Sequence, residues 1–178
     1  MSDSGATRRQ WLGGIVTALA VGVAGCSGES TAGTASPDDG PAVTGTPIHR
    51  SYETTRVRVE SERGALLGAV TAAIADTPDL RYTGLSETDS LAENRGMLFV
   101  YESVSDHTYV MRGMEFGLDI VYADDEGTIT TIHHAPAPGP GEDGEDQRYP
   151  GRGQYVLEVT KGWTAERGVT VGDRLVFD

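Results

Sequence analysis

Short runs of apolar residues alternate with turn-forming residues along the chain, from about residue 54 to the C-terminus. In residues 54–59, arginines and valines alternate with the two-residue period of a half-buried strand. Residues 96–101 are continuously apolar and aromatic, which predicts a buried strand. Further strands are predicted in the second half of residues 65–75 and at residues 108–112, 154–160 and 174–177.

A hairpin is predicted where two β-prone runs, residues 118–123 and 128–134, flank the glycine-bearing turn Asp124-Asp125-Glu126-Gly127. The polar stretch that follows, residues 135–153, is rich in proline and glycine and predicts a long surface loop.

Two short segments favour helix. Thr77 can cap a helix that Pro78 opens at its first turn, and this helix carries Arg81 and ends near Gly84. Residues 163–168 predict a short helix or turn. Many short strands with one or two helices indicate a mainly β (α+β) domain over residues 48–178, a compact jelly-roll-like β-sandwich or barrel.

The N-terminus has the pattern of an export signal. Arg8 and Arg9 are followed by Gln, Trp and Leu, which matches the twin-arginine pattern. The apolar run after them ends at residue 24, too short for a membrane span of about 20 residues. We therefore interpret residues 1–25 as a twin-arginine signal peptide.

The chain contains a single cysteine, Cys26, and small residues precede it as in a lipobox. Cleavage before Cys26 would expose its thiol for a lipid, and the alternative is a small buried residue in an N-terminal helix. Residues 26–47 are rich in Gly, Ser, Thr, Ala and Pro and predict a lipid-anchored flexible linker. The predicted location is the extracellular side of the cell membrane.

The charge of the chain is strongly acidic, with 27 acidic and 14 basic residues and a net charge of −13. Lys161 is the only lysine. Dense carboxylate with so little lysine is typical of proteins from saturated salt, where the Debye length shrinks to a few ångströms (about 3 Å at 1 M). The dispersed arginines argue against a nucleic-acid partner, which would require a clustered basic surface.

The ordered blocks of the folded part resemble one family. These blocks are Ala75-Asp76-Thr77-Pro78, Arg81-Tyr82-Thr83-Gly84-Leu85, Leu91, Gly96-Met97-Leu98-Phe99-Val100, Val110-Met111-Arg112, Leu118-Asp119-Ile120-Val121, Gly127, Tyr155-Val156-Leu157-Glu158-Val159, Gly168-Val169 and Val171-Gly172-Asp173. Together they resemble domain-of-unknown-function family 192. The resemblance implies a small, mostly β fold similar to a jelly-roll sandwich, and it implies no cofactor and no reaction.

This sequence departs from the family pattern at three places. Ser86 stands where the family usually has methionine, and Gly117 where it has proline. The family's aromatic-Met-Lys-Asn-Thr stretch corresponds here to residues 109–114. A family pocket shaped by those residues would be altered in this chain.

Asp119 and Glu158 are the most suggestive candidate site residues, since each carboxylate sits among apolar neighbours of a predicted strand. Burying a lone charge is costly, so each requires a partner or a solvent cleft. If the two carboxylates lie close together, they could bind a cation or act in general acid–base catalysis. Otherwise they could pair with Arg81 or Arg112, or face outward from half-exposed strands.

The remaining candidates are two arginines and a methionine. Arg81 and Arg112 could clamp an anionic ligand, or form salt bridges to the two carboxylates. Met111 belongs to a cluster of methionine and aromatic residues, which we interpret either as part of the hydrophobic core or as a hydrophobic groove.

No metal site is predicted. His133 and His134 are consecutive in a predicted strand and so point to opposite faces. The acidic stretch 142–146 lacks the alternating ligands of a calcium loop and is interpreted as a solvated loop.

Three functions stay open at this stage. The absence of a complete catalytic constellation favours a lipid-anchored binding or accessory module over an enzyme, with a small molecule, a glycan or a protein as its ligand. The alternatives are a metal-assisted or acid–base hydrolase that uses Asp119 and Glu158, and a purely structural envelope protein. We expect a monomer without cofactors, attached to the membrane through Cys26.

Overall fold

The computed structural model describes residues 52–177, so the predicted signal, Cys26 and most of the linker lie outside the described residues. The elements in chain order are β1 (Thr54–Glu60), β2 (Leu66–Ala75), α1 (Pro78–Thr83), β3 (Arg95–Val110), β4 (Leu118–Ala123), β5 (Ile129–Ala135), β6 (Arg148–Thr160), α2 (Trp163–Glu166) and β7 (Arg174–Val176).

The strands form one seven-stranded sheet in the order β5-β4-β6-β3-β2-β1-β7. Among the strands of residues 52–177, only β2 and β3 pair in parallel, and α1 lies in the connection between them. The sheet curls into a half-barrel. At its open side a bridge between Thr128 and Arg174 brings the β4–β5 turn against β7. The mainly β prediction is therefore confirmed, and of the two predicted forms the structure shows the barrel-like one.

The sheet carries a hydrophobic cluster on each face because its strands alternate in side-chain direction. We call the face with Leu98, Val121 and Leu157 the α2 face, since Trp163 of α2 packs on it. The opposite face, which includes Phe99 and Tyr122, is the α1 face. Both faces of the curled sheet therefore carry buried apolar residues.

The first helix forms as its sequence predicts. The Thr77 side chain accepts a hydrogen bond from the Leu80 amide at 3.3 Å, and Pro78 occupies the first turn. Gly84 ends the helix with φ of 50°. A backbone bond from Gly84 to the Leu80 carbonyl at 2.9 Å completes the last turn. The helix is thus held at both ends and presents Arg81 to the sheet.

Three predicted boundaries are wrong. The whole of Leu66–Ala75 is strand, not only its second half. The predicted strands at residues 96–101 and 108–112 are one continuous β3 of 16 residues, with an irregularity in pairing between Val100 and Ser105. The predicted loop 135–153 is shorter, because β6 begins at Arg148 and pairs with the second half of β3. The hairpin of β4 and β5 is confirmed.

Candidate active or binding cavity

A cavity of about 440 Å³ opens on the α1 face. Residues of α1 and of the turn after it form one wall, from Arg81 to Ser86. The other wall comes from β3 and the residues that follow it, and Glu158 of β6 contributes from the sheet. The connection between the parallel strands β2 and β3 contains α1, and the space lies between this helix and residues 106–110 of β3.

Glu158 is the buried carboxyl group of this cavity, with only 5% of its surface exposed. In the sheet it lies between Met97 of β3 and Ile120 of β4, which are its direct cross-strand partners. Burial among these apolar neighbours raises the pKa of Glu158 to about 8, and no hydrogen bond or charge from residues 52–177 offsets that effect. The carboxyl group is therefore mostly uncharged at neutral pH and faces the cavity.

Aromatic residues of β3 surround that carboxyl group. The Tyr101 and Tyr109 hydroxyls lie 3.0 Å apart in a mutual hydrogen bond. Phe99 meets Tyr109 edge to face, with ring centroids 4.9 Å apart. Burial raises the pKa of both tyrosines, and for Tyr101 the hydrogen bond to Tyr109 and the Arg81 charge offset part of that rise. Both phenols are therefore neutral at physiological pH and offer hydroxyl groups to the cavity.

Two guanidinium groups also line the cavity. Arg81 donates through Nη1 to the Val100 carbonyl at 2.8 Å and to the Asp76 carbonyl, and its guanidinium lies 4.8 Å from the centre of the Tyr101 ring. Arg112 donates to the Tyr82 carbonyl at 2.9 Å and stacks on the Tyr82 ring at 4.3 Å. These contacts tie α1 to the sheet and hold two positive charges at the cavity.

The other ionisable residues of the cavity add little opposing charge. His107 stacks on Tyr101 with centroids 3.6 Å apart, and burial lowers the pKa of its imidazole, which favours the neutral ring. Asp106 is largely exposed and faces Arg152 at 3.3 Å. The cavity thus has a positive local charge on a protein whose net charge is −13.

Asp119 does not line this cavity. It is fully buried and accepts hydrogen bonds from the Gly162 amide at 3.1 Å and from the Thr164 amide and hydroxyl at 2.9 and 2.6 Å. His134 Nδ1 lies 2.7 Å from Oδ1, the oxygen that also accepts from the Gly162 amide. Asp119 therefore fixes the start of α2, a structural role that was one of the alternatives for a buried carboxylate.

The two candidate carboxylates do not converge. In the register of β4 and β6, Asp119 is opposite Val159, whereas Glu158 is opposite Ile120. Cross-strand partners share a face and consecutive residues alternate, so Asp119 and Glu158 point to opposite faces of the sheet. The acid–base arrangement considered from the sequence, with both groups at one site, is therefore wrong.

The histidines of β5 have separate partners. His134 contacts Asp119, whereas His133 Nε2 lies 2.7 Å from the Pro150 carbonyl oxygen. Within residues 52–177, no group of three or more His, Cys, Asp or Glu side chains is arranged to hold a metal ion.

Of the five predicted ligand-binding residues, the structure brings three to the cavity: Arg81, Arg112 and Glu158. Met111 is fully buried in the core of the α1 face, and its amide bonds to the Gly144 carbonyl at 3.1 Å. Sequence reasoning missed Tyr101 and His107 because it divided β3 in two and left residues 102–107 unassigned. A two-residue period could not have revealed them, because the pairing of β3 is irregular between Val100 and Ser105.

Comparison with known proteins places this arrangement in a family. The family model of domain of unknown function 192, described as "Uncharacterized ACR", matches residues 58–177. The chain belongs to this family. The match covers every strand from within β1 onward, and the resemblance inferred from the sequence blocks is confirmed. The family has no assigned function, and nothing in it points to catalysis.

Two solved structures are similar to this member of family 192. One is a protein of Sinorhizobium meliloti 1021, provisionally described as a transcription regulator, with 29% identity and a TM-score of 0.65 over 72% of this chain and 97% of its own. The other is a protein of unknown function from Novosphingobium aromaticivorans DSM 12444, with 24% identity and a TM-score of 0.63 over 81% and 99%. No curated protein matches the chain.

None of the helices within residues 52–177 is long and apolar enough to cross a membrane.

Proposed function

We propose that the protein is an exported, lipid-anchored binding module whose cavity on the α1 face holds a small ligand. The observation that carries this proposal is Glu158. Its carboxyl group lines the cavity, is 5% exposed and has a pKa that burial raises, so a ligand in the cavity would meet a polar group in apolar surroundings.

The size and lining of the cavity support a small molecule rather than a protein or glycan chain. Its volume of about 440 Å³ lies within the usual range of small-molecule pockets, roughly 300–1,000 Å³. Polar side chains, among them Arg81, Arg112 and Glu158, share its lining with apolar and aromatic residues. Ser86, where this chain departs from the family pattern, is one of the lining residues and makes the wall more polar.

Ligand binding is tested by a thermal-shift screen of neutral, cationic and anionic fragments against the full chain. We expect at least one class to raise the melting temperature, and Ser86→Trp, which fills the cavity mouth, to abolish the rise. The matched control is Ser103→Trp, at an exposed position of β3 outside the cavity lining. A screen in which no fragment binds would favour the structural envelope protein.

The proposed location, lipid-anchored at the membrane, is inferred from the sequence of residues 1–26 and is tested in cells. Changing Arg8 and Arg9 together to lysine should leave the unprocessed precursor inside the cell. Cys26→Ser should release the domain into the medium. Normal export of the first variant would contradict the twin-arginine assignment, and membrane retention of the second would contradict the lipid anchor.

A further inference from the structure

We propose that the ligand is a small organic carboxylate with an apolar body, whose anionic group lies among Arg81, Arg112 and the carboxyl group of Glu158. This inference rests on the proposed binding function and names the chemical class that the same cavity selects.

The charges at the cavity favour an anion. Arg81 and Arg112 both line it, whereas Asp106, the exposed carboxylate at its edge, faces Arg152. An organic cation would therefore meet two guanidinium groups of its own sign. The chain has a net charge of −13, so the positive charge at the cavity is opposite in sign to the net charge of the protein.

Both arginines keep donors available. A guanidinium has five N–H groups. Arg81 directs its Nη1 to two backbone carbonyls, and Arg112 uses Nη2 for one. Their remaining N–H groups have no acceptor within residues 52–177, although stacking on Tyr101 and Tyr82 fixes the planes of both groups. A planar carboxylate suits a guanidinium held in a fixed plane, because it can accept two parallel N–H hydrogen bonds at once.

Glu158 supports an anion only in its protonated form, in which it can donate one hydrogen bond. Its apolar surroundings favour that form, since burial raises its pKa. The ionisable groups around it are Tyr101, Tyr109 and His107 of β3, Tyr122 of β4, and the arginine of α1. The phenols are neutral below their raised pKa values, so Glu158 is the group that titrates near pH 8.

The apolar wall determines the rest of the ligand. Leu85, Phe99, Met114 and Leu118 line the cavity beside the polar groups. A short alkyl chain or a single aromatic ring would cover these side chains while its carboxylate reaches the arginines. A free inorganic anion would leave that wall uncovered.

Isothermal titration of the full chain with acetate, butyrate and benzoate tests the proposal at constant ionic strength. Benzyl alcohol and benzylammonium are the neutral and cationic counterparts of benzoate. We expect benzoate and butyrate to bind at pH 7 more tightly than acetate, and the two counterparts to bind at least tenfold more weakly than benzoate. Tighter binding of benzyl alcohol or benzylammonium would overturn the carboxylate assignment.

Two variants locate the anionic group. Arg112→Gln should weaken benzoate binding at least tenfold, whereas Arg56→Gln, an exposed arginine of β1, should leave it unchanged. Circular dichroism of both variants checks the fold. Equal affinity of Arg112→Gln and the parent would contradict the proposed contact.

The pH profile tests Glu158 separately. With a pKa of about 8, the protonated fraction falls about tenfold between pH 7 and pH 9, and benzoate affinity should fall by about the same factor. Glu158→Gln keeps a neutral donor, so it should bind at both pH values with little change. Loss of binding in Glu158→Gln at pH 7 would overturn the role of a protonated acid.

Failure of this inference differs from failure of the proposed function. If no carboxylate binds but another fragment class raises the melting temperature and Ser86→Trp abolishes the rise, the cavity is a binding site for a different chemistry. If no fragment of any class binds, the binding function itself is contradicted.

Discussion

Glu158→Gln should remove a pH dependence of stability that the parent protein shows between about pH 5 and pH 8. In the folded state burial raises the pKa of Glu158 from 4.5 to about 8. Within that interval the unfolded chain has lost the proton and the folded chain retains it. The free energy of unfolding must therefore fall as pH rises, by about 1.4 kcal/mol per pH unit.

The stabilisation from this group is fully present below the unfolded pKa and is lost as pH rises through the folded pKa. Over about three pH units the parent should lose roughly 4 kcal/mol relative to Glu158→Gln, an appreciable part of a typical domain stability of about 5–15 kcal/mol. Since both proteins share every other titrating group, the difference between their curves isolates Glu158.

Urea denaturation at each pH, followed by circular dichroism, measures the two curves. The exposed Glu102→Gln on β3 is the matched control, and its curve should run parallel to that of the parent. Curves for the parent and Glu158→Gln that stay within about 1 kcal/mol of a constant separation would refute the argument, because they would mean that water solvates the carboxylate in the cavity.

Two further substitutions test the structural roles of buried groups. Asp119→Ala leaves three backbone and hydroxyl donors without their acceptor, at about 1–3 kcal/mol each, so urea denaturation should show a loss of roughly 3–9 kcal/mol. The exposed Asp125→Ala should change stability by less than about 0.5 kcal/mol. In Gly151→Ala the added Cβ would lie 2.6 Å from the ring of Tyr122, and a loss of about 1–3 kcal/mol is expected. Gly139→Ala is its control, because its Cβ would contact only a flexible side chain; equal stability of the two glycine variants would contradict the close packing.

The elements that local patterns determine were predictable from the sequence. The β4–β5 hairpin follows from a glycine-bearing turn between two apolar runs, and α1 follows from Thr77 and Pro78. The polar residues 102–107 and 148–153 gave no such signal. Residues 105–107 pair with residues 151–153, a partnership between segments more than 40 residues apart that neither segment's own sequence indicates.

The candidate site was predictable in its parts but not in its assembly. Arg81, Arg112 and Glu158 were identified as chemically unusual, and all three line the cavity. Asp119 looked equivalent to Glu158, yet the register of β4 and β6 sends the two side chains to opposite faces. A shift of one residue in strand register moves each side chain to the opposite face of the sheet. The sequence of each strand alone could therefore not show that Glu158 faces the cavity whereas Asp119 does not.

The proposed function requires the cavity of the α1 face to be the binding site of the domain. Chemical-shift mapping by NMR, with the strongest binder from the fragment screen, tests it most directly. We expect the perturbed signals to cluster at Glu158, Tyr109 and Leu85, while those of Asp119 and Thr164 stay in place. Perturbations centred on the Asp119 network, with Glu158 unaffected, would contradict it.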